Sequence, residues 1–182
     1  MIGSRRRAEP APGSRLTGSG VPEISAPLLA LFTRYVAWYL RRHFHAVRCS
    51  KGGPPPAVPV DEPLVVYANH PAWWDPLVYL HLAATRFADR RHYGPIAAAA
   101  LGRYGLFRRL GFFGVERGTR AGARAFLSIS SAILARPATA LWITPQGRFA
   151  DPRERPLRLE PGLAVLARRL GRGVFLPLAV EY

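Results

Sequence analysis

The chain has 182 residues, 49% of them hydrophobic, which is enough for one core and too few for two domains of ordinary size. A formal charge of +15 calls for an acidic partner, whether nucleic acid, an anionic membrane surface, or an acidic carrier or cofactor. The single cysteine, Cys49, excludes an internal disulfide framework, is consistent with a reducing compartment, and has no supporting motif as a nucleophile.

Residues 1–22 are rich in Arg, Gly, Ser and Pro and poor in large apolar side chains, so a disordered basic tail is expected there; it lacks the apolar run of a secretory signal. The segment 23–46 turns helical. Leu28, Phe32, Tyr35, Val36 and Tyr39 fall on one face and Ala30, Arg34, Ala37 and Arg41 on the other, as in an amphipathic helix. A spanning helix needs roughly 20 apolar residues, and Arg34 breaks this run before Arg41, Arg42 and His43 close it. Tyr35, Trp38 and Tyr39 suit the headgroup level of an anionic membrane surface; the competing reading is a core-packing helix with an exposed arginine stripe.

Phe44 to Arg48 is expected as a short strand, then a turn at Lys51-Gly52-Gly53 and a Pro-rich connector to Pro63. His43 and His45 lack a third ligand nearby, so no metal is expected. Leu64 to Ala68 reads as a buried strand that runs into a polar loop carrying His70 and Asp75, with a helix from Pro76 to about Ala88. An imidazole near a carboxylate can take a proton at neutral pH, because the carboxylate fixes the tautomer and stabilises the imidazolium. Asp75 before Pro76 is equally a good helix start, an N-cap followed by proline at the first helical position.

Further along, the pattern predicts a strand over His92–Ala98, a helix from Ala99 to Leu110, a strand in Gly111–Val115, a helix from Thr119 or Arg120 to Leu134, and a strand over Ala140–Thr144. A basic loop from Arg148 to Pro161 leads to a helix over Gly162–Leu170 and a last strand, Val174–Val180. Strands alternating with helices, the strands continuously apolar, predict an α/β domain over 47–182: a mostly parallel sheet with helices on both faces, preceded by the N-terminal amphipathic helix. Ligands gather at the carboxyl ends of such strands, where His70, Asp75, Arg117 and Gln146 fall.

Four blocks, from Leu64 to the end of the chain, carry a resemblance. They are Asn69-His70-Pro71-Ala72-Trp73-Trp74-Asp75, Gly111-Phe112-Phe113-Gly114-Val115-Glu116-Arg117, Thr144-Pro145-Gln146-Gly147-Arg148-Phe149 and Leu176-Pro177-Leu178-Ala179-Val180. In order and spacing they resemble the glycerolipid acyltransferase superfamily, which includes the 1-acylglycerol-3-phosphate acyltransferases. The third block departs: the family usually has Phe-Pro-Glu-Gly-Thr-Arg, whereas Gln146 holds the acidic position and Phe149 the arginine position here. The chain stops at Tyr182, inside or just after a strand, an odd place for a domain of this family to end, so a fragment is one expectation.

The resemblance implies direct acyl transfer without a covalent acyl-enzyme. His70 would act as general base on a lipid acceptor's hydroxyl, Asp75 would orient the imidazole, and Arg117 would bind a phosphate of the acceptor or of the donor. The donor would be acyl-CoA or acyl-ACP, a co-substrate, with no further cofactor. Gln146, Gly147 and Arg148 would contact the acceptor, Arg148, Arg153 or Arg155 supplying the missing cation. The setting implied is phospholipid metabolism at the cytoplasmic face of a membrane, the protein being peripheral. Two rivals differ in class. One is a catalytically degenerate lipid-binding or scaffold protein of the same fold. The other is a nucleic-acid-binding module, which only the charge favours, because no zinc spacing, RNA-binding signature or P-loop accompanies it.

Overall fold

The computed structural model describes residues 20–50 and 57–182. Nearly all of the expected basic tail, and the turn at Lys51-Gly52-Gly53, lie outside the described residues. Helix α1 spans Ala26–His43, followed by β1 Leu64–Ala68, α2 Asp75–Arg86, β2 Arg91–Ala97, α3 Ala98–Arg103, a 3₁₀ segment Gly105–Leu110 and β3 Phe112–Val115. Then come α4 Arg120–Leu134, β4 Thr139–Ile143, α5 Gly162–Leu170 and β5 Val174–Leu178. The five strands form one sheet in the order β3-β2-β4-β1-β5, and every pairing is parallel. The chain is thus α/β with an all-parallel sheet, an N-terminal helix leading into it.

The side-chain alternation of a strand explains the layers. Val65 of β1, Leu141 and Ile143 of β4 and Tyr93 of β2 point to one face, where Ile129, Ile133 and Leu134 of α4 and Leu166 of α5 cover them. Leu64, Val66 and Ala68, with Ala140 and Trp142, point to the opposite face, against Tyr79 and Ala83 of α2 and against Phe87. Helix α1 adds a further layer, with Val36 and Leu40 buried against Val78 of α2. β1 and β4 are inner strands buried on both sides, hence their unbroken apolar sequences. β5 is an edge strand, and an edge tolerates Pro177, which has no N–H for a ladder.

Three sequence expectations change. Phe44 to Arg48 forms no strand; apart from half-buried Phe44 the segment is exposed and has no neighbouring strand to pair with. The helix expected from Ala99 to Leu110 is two pieces, because Tyr104 leaves helical geometry at φ −126°, ψ 69° between Gly102 and Gly105. The last strand stops at Leu178, and Val180 pairs with a side chain instead, as described below.

At the amino end of the sheet, the buried Arg90 has no carboxylate partner among the described residues. Its Nη1 donates to the carbonyls of Glu62 (2.8 Å) and Thr139 (3.0 Å), and its Nη2 to those of Val58 (3.1 Å) and Pro59. A planar guanidinium can serve several acceptors at once, so this one side chain ties the connector before β1 to the sheet. At the carboxyl end, the close approach of α4 requires Gly122: a Cβ there would lie 1.7 Å from the Glu116 carbonyl oxygen. Thr119 caps this helix, its Oγ1 accepting from the Gly122 N–H at 2.9 Å.

Candidate active site

Because the strands run the same way, the segments leaving β1, β3, β4 and β5 meet at one edge. His70 stands two residues past β1. Its Nδ1–H donates to Asp75 Oδ2 at 2.6 Å, and the Ala72 N–H donates to the same oxygen at 3.1 Å. The Tyr182 hydroxyl donates to the other oxygen, Oδ1, at 2.6 Å. Asp75 is fully buried, so it needs these three donors to stay charged at tolerable cost. With Nδ1 engaged, Nε2 is the ring nitrogen left for a substrate.

The helix-cap reading of Asp75 does not hold. α2 begins at Asp75 itself, Trp74 precedes it with no side-chain cap bond, and the carboxylate turns back to the loop. The N–H groups of Leu77 and Val78, which a cap at Asp75 would satisfy, both donate to the Trp74 carbonyl, at 2.9 and 3.2 Å, and the loop offers the carboxylate other donors in His70 and the Ala72 N–H.

The backbone around His70 is held from two sides. Gln146 Oε1 accepts the His70 N–H at 2.9 Å, and the His70 carbonyl accepts the Ala150 N–H at 3.0 Å. Gln146 therefore reaches the site, but its oxygen is committed to the main chain of His70. Gly147 makes the turn after β4 at φ +63°, a conformation that favours glycine, and its N–H donates to Thr144 O at 3.0 Å. The Phe149 ring lies over His70 with centroids 4.4 Å apart and is itself 57% exposed.

Arg117, leaving β3, arrives at the same turn: its Nη2 is 3.6 Å from where a Cβ on Gly147 would lie. It is exposed, and among the described residues it forms no ion pair. Arg148 is instead paired with Glu154 and donates to the Phe149 carbonyl at 3.2 Å. Arg153 faces Glu181 at 3.7 Å, and Arg155 bonds the carbonyls of Pro152 and Glu154. Of the cations expected here, Arg117 is the one at the Gly147 turn, where the Glu160 carboxylate also arrives, its Oε1 3.8 Å from the same Cβ position.

Sequence reasoning assigned no role to three side chains that build the site. Asn69 makes a two-way bridge to Val180, its Nδ2 donating to Val180 O and its Oδ1 accepting the Val180 N–H, both at 2.8 Å. That bridge brings the segment after β5 over the His70 loop. Tyr79 donates its hydroxyl to the Asn69 carbonyl. Its position four residues after Asp75 on one helix face was the available signal; Tyr182, distant in sequence, offered none. Burial raises the pKa of both phenols well above the ordinary tyrosine value. For Tyr79 the charge of Asp75 adds to it; for Tyr182 the hydrogen bond to Asp75 does. Both therefore act as donors.

A hollow of about 330 Å³ has Asn69, Gln146, Leu157 and Val180 in its wall, Asn69 and Gln146 being the residues that adjoin and hold the His70 backbone. A broader one of about 580 Å³ lies at the amino ends of β1 and β5, between Pro63, Leu134 and Arg172, away from His70. The former adjoins the His70 loop through Asn69 and Gln146, whereas the latter is lined by Asp61 with no described histidine beside it and lies at the opposite end of the sheet.

An α/β protein with a histidine–carboxylate pair at the carboxyl end of an inner parallel strand belongs to the class whose sites form at that edge. Residues 54–181 match the family model described as Acyltransferase, and the chain belongs to that family, within the glycerolipid acyltransferase superfamily. No curated protein matches the chain.

Proposed function

We propose that this acyltransferase moves a fatty acyl group from a thioester of coenzyme A or acyl carrier protein to a hydroxyl of a lipid acceptor, with His70 as general base. The observation that carries the reading is the 2.6 Å bond from His70 Nδ1 to a buried carboxylate, which leaves Nε2 as a proton acceptor. The acceptor oxygen gives its proton to Nε2 and attacks the thioester carbonyl. The tetrahedral intermediate collapses with cleavage of the C–S bond, and the imidazolium returns the proton to the departing thiolate. Arg117 binds a phosphate of the donor.

The acceptor's reacting end is neutral on this reading. Gln146 brings no charge and Phe149 lays an apolar ring over His70, while Arg148 is neutralised by Glu154. A phenyl ring favours an apolar alcohol or the face of a sugar over a phosphate. Competition between lysophosphatidic acid and a neutral glycolipid for one labelled acyl donor tests this. We expect the glycolipid to show the higher specificity constant, and a preference for lysophosphatidic acid would overturn the assignment of acceptor class. No transfer to either acceptor would favour a lipid-binding scaffold. We further propose that the protein works peripherally at the cytoplasmic face of a membrane. No described helix is long and apolar enough to cross one.

A further inference from the structure

We propose that Tyr182 is a positioning residue for the His70–Asp75 pair, holding the Asp75 carboxylate in the plane that presents Oδ2 to the imidazole. This rests on the reading of His70 as general base. A carboxylate on one rotatable bond can turn away from its partner unless both oxygens are held. Here Oδ2 is held by His70 and the Ala72 N–H, and Oδ1, among the described residues, by the Tyr182 hydroxyl alone at 2.6 Å.

The phenol is itself placed by other groups. The Asn69 bridge fixes Val180, two residues before it, to the loop that carries His70, so the same loop sets both ends of the chain of bonds. Its ring packs on Phe44, just past α1, with centroids 5.8 Å apart, and Phe44 in turn meets Trp74, the neighbour of Asp75. A tyrosine merely filling space would not need its hydroxyl on a buried carboxylate.

The hydroxyl also governs charge. A donor on Oδ1 withdraws negative charge from the carboxylate, which lessens the stabilisation of the imidazolium. Removing it alters both the aim and the charge of the carboxylate that faces the imidazole. The other groups around the dyad stay as they are: Tyr79 on the Asn69 carbonyl, Arg148 paired with Glu154, Arg153 with Glu181, Arg117 at the Gly147 turn, and His43 stacked on Tyr39 of α1.

The test is Tyr182→Phe in the full chain, which keeps the ring on Phe44 and deletes only the hydroxyl. Steady-state transfer from acyl-CoA to the better of the two acceptors named above is followed against pH. We expect kcat to fall about tenfold, the low end of the worth of a hydrogen bond to a charged group, KM for donor and acceptor to stay within about twofold, and the acid limb of the profile to shift from the parent's position. An acid limb and kcat at the parent's values overturn the proposal. So does a drop in kcat matched by a lower melting temperature with the limb unmoved, which marks a packing role. Imidazole ¹⁵N resonances, with His70 assigned by its absence in His70→Ala, give a readout free of activity. The His70 signals followed against pH should differ between Tyr182→Phe and the parent, and identical titrations overturn the proposal. If His70→Ala transfers at the parent rate, the general-base reading fails, while the imidazole titration still decides whether Tyr182 controls the pair.

Discussion

At the scale of single residues, the site is a set of main-chain and side-chain donors arranged to keep one carboxylate charged and one imidazole aimed. His70 has its N–H on Gln146, its carbonyl on the Ala150 N–H and its Nδ1–H on Asp75, so ring and backbone are both fixed. Replacing His70 by alanine removes the base but leaves the Gln146 and Ala150 contacts, which are to the main chain. We therefore expect acyl transfer to fall by roughly two to four orders of magnitude, with the circular dichroism spectrum unchanged. Transfer at the parent rate would show that another group takes the proton. The substitution at Gln146 has a consequence of its own. An amide oxygen can accept the His70 N–H as a carboxylate can, but without bringing a negative charge beside the imidazole. The departure from the family pattern thus preserves the scaffold of the loop and alters its electrostatics.

At the scale of elements, β1, α4, β4 and α5 were legible because each is marked locally. β1 and β4 are unbroken apolar runs, Thr119 announces α4, and the Pro161-Gly162 break opens α5. What was not legible depends on partners far away in sequence: Asn69 on Val180, Tyr182 on Asp75, and the division of α1 between a buried stripe and an exposed one. The same holds for His92 on β2. Its Nε2–H donates to the Phe87 carbonyl at 2.8 Å and its Nδ1 accepts the Trp142 indole N–H at 3.0 Å, so both nitrogens require the neutral ring. Burial, opposed by the Phe87 bond and reinforced by Arg90, pushes its pKa down to about 4. The unfolded chain binds the proton below about 6.5 and the folded one only below about 4, so stability is fully present above the first value and declines as pH falls toward the second. The loss is at most about 3 kcal/mol. His92→Gln, which keeps a donor and an acceptor without titrating, should flatten that part of the stability profile in urea unfolding from pH 6.5 to 4. A parent and variant that lose stability in parallel over this range would mean that His92 is not the group responsible.

At the scale of the whole molecule, the proposed peripheral membrane binding needs a surface that would meet a lipid. The chain carries a formal charge of +15, and the outer side of α1 places Leu31, Tyr35 and Trp38 in solvent, 67%, 48% and 55% exposed, beside the exposed Arg34, Arg41 and Arg42. Tyr35, expected on the same face as Val36, has parted from it: Val36 is buried against α2 and Tyr35 points outward. Trp73, 63% exposed in the His70 loop, stacks on Trp74, whose ring in turn meets Tyr39 of α1, so this aromatic surface continues to the mouth of the site. A membrane docked there would deliver an acceptor to Nε2 without its apolar part crossing water. Removing α1 outright is a poor test, since it would uncover Val78 and weaken the fold along with any lipid contact. The better variant is Leu31→Ser with Trp38→Ser, both at positions that face solvent. Each large apolar side chain transferred from water is worth roughly 1.5–3 kcal/mol, so the pair should weaken sedimentation with anionic liposomes by more than tenfold while the melting temperature stays within a few degrees. Raising salt should weaken the parent further, because attraction between the basic surface and anionic headgroups is screened over about 8–10 Å at physiological ionic strength. Unchanged sedimentation of the double variant would place lipid contact elsewhere on the basic surface, and α1 would then serve only to cover α2.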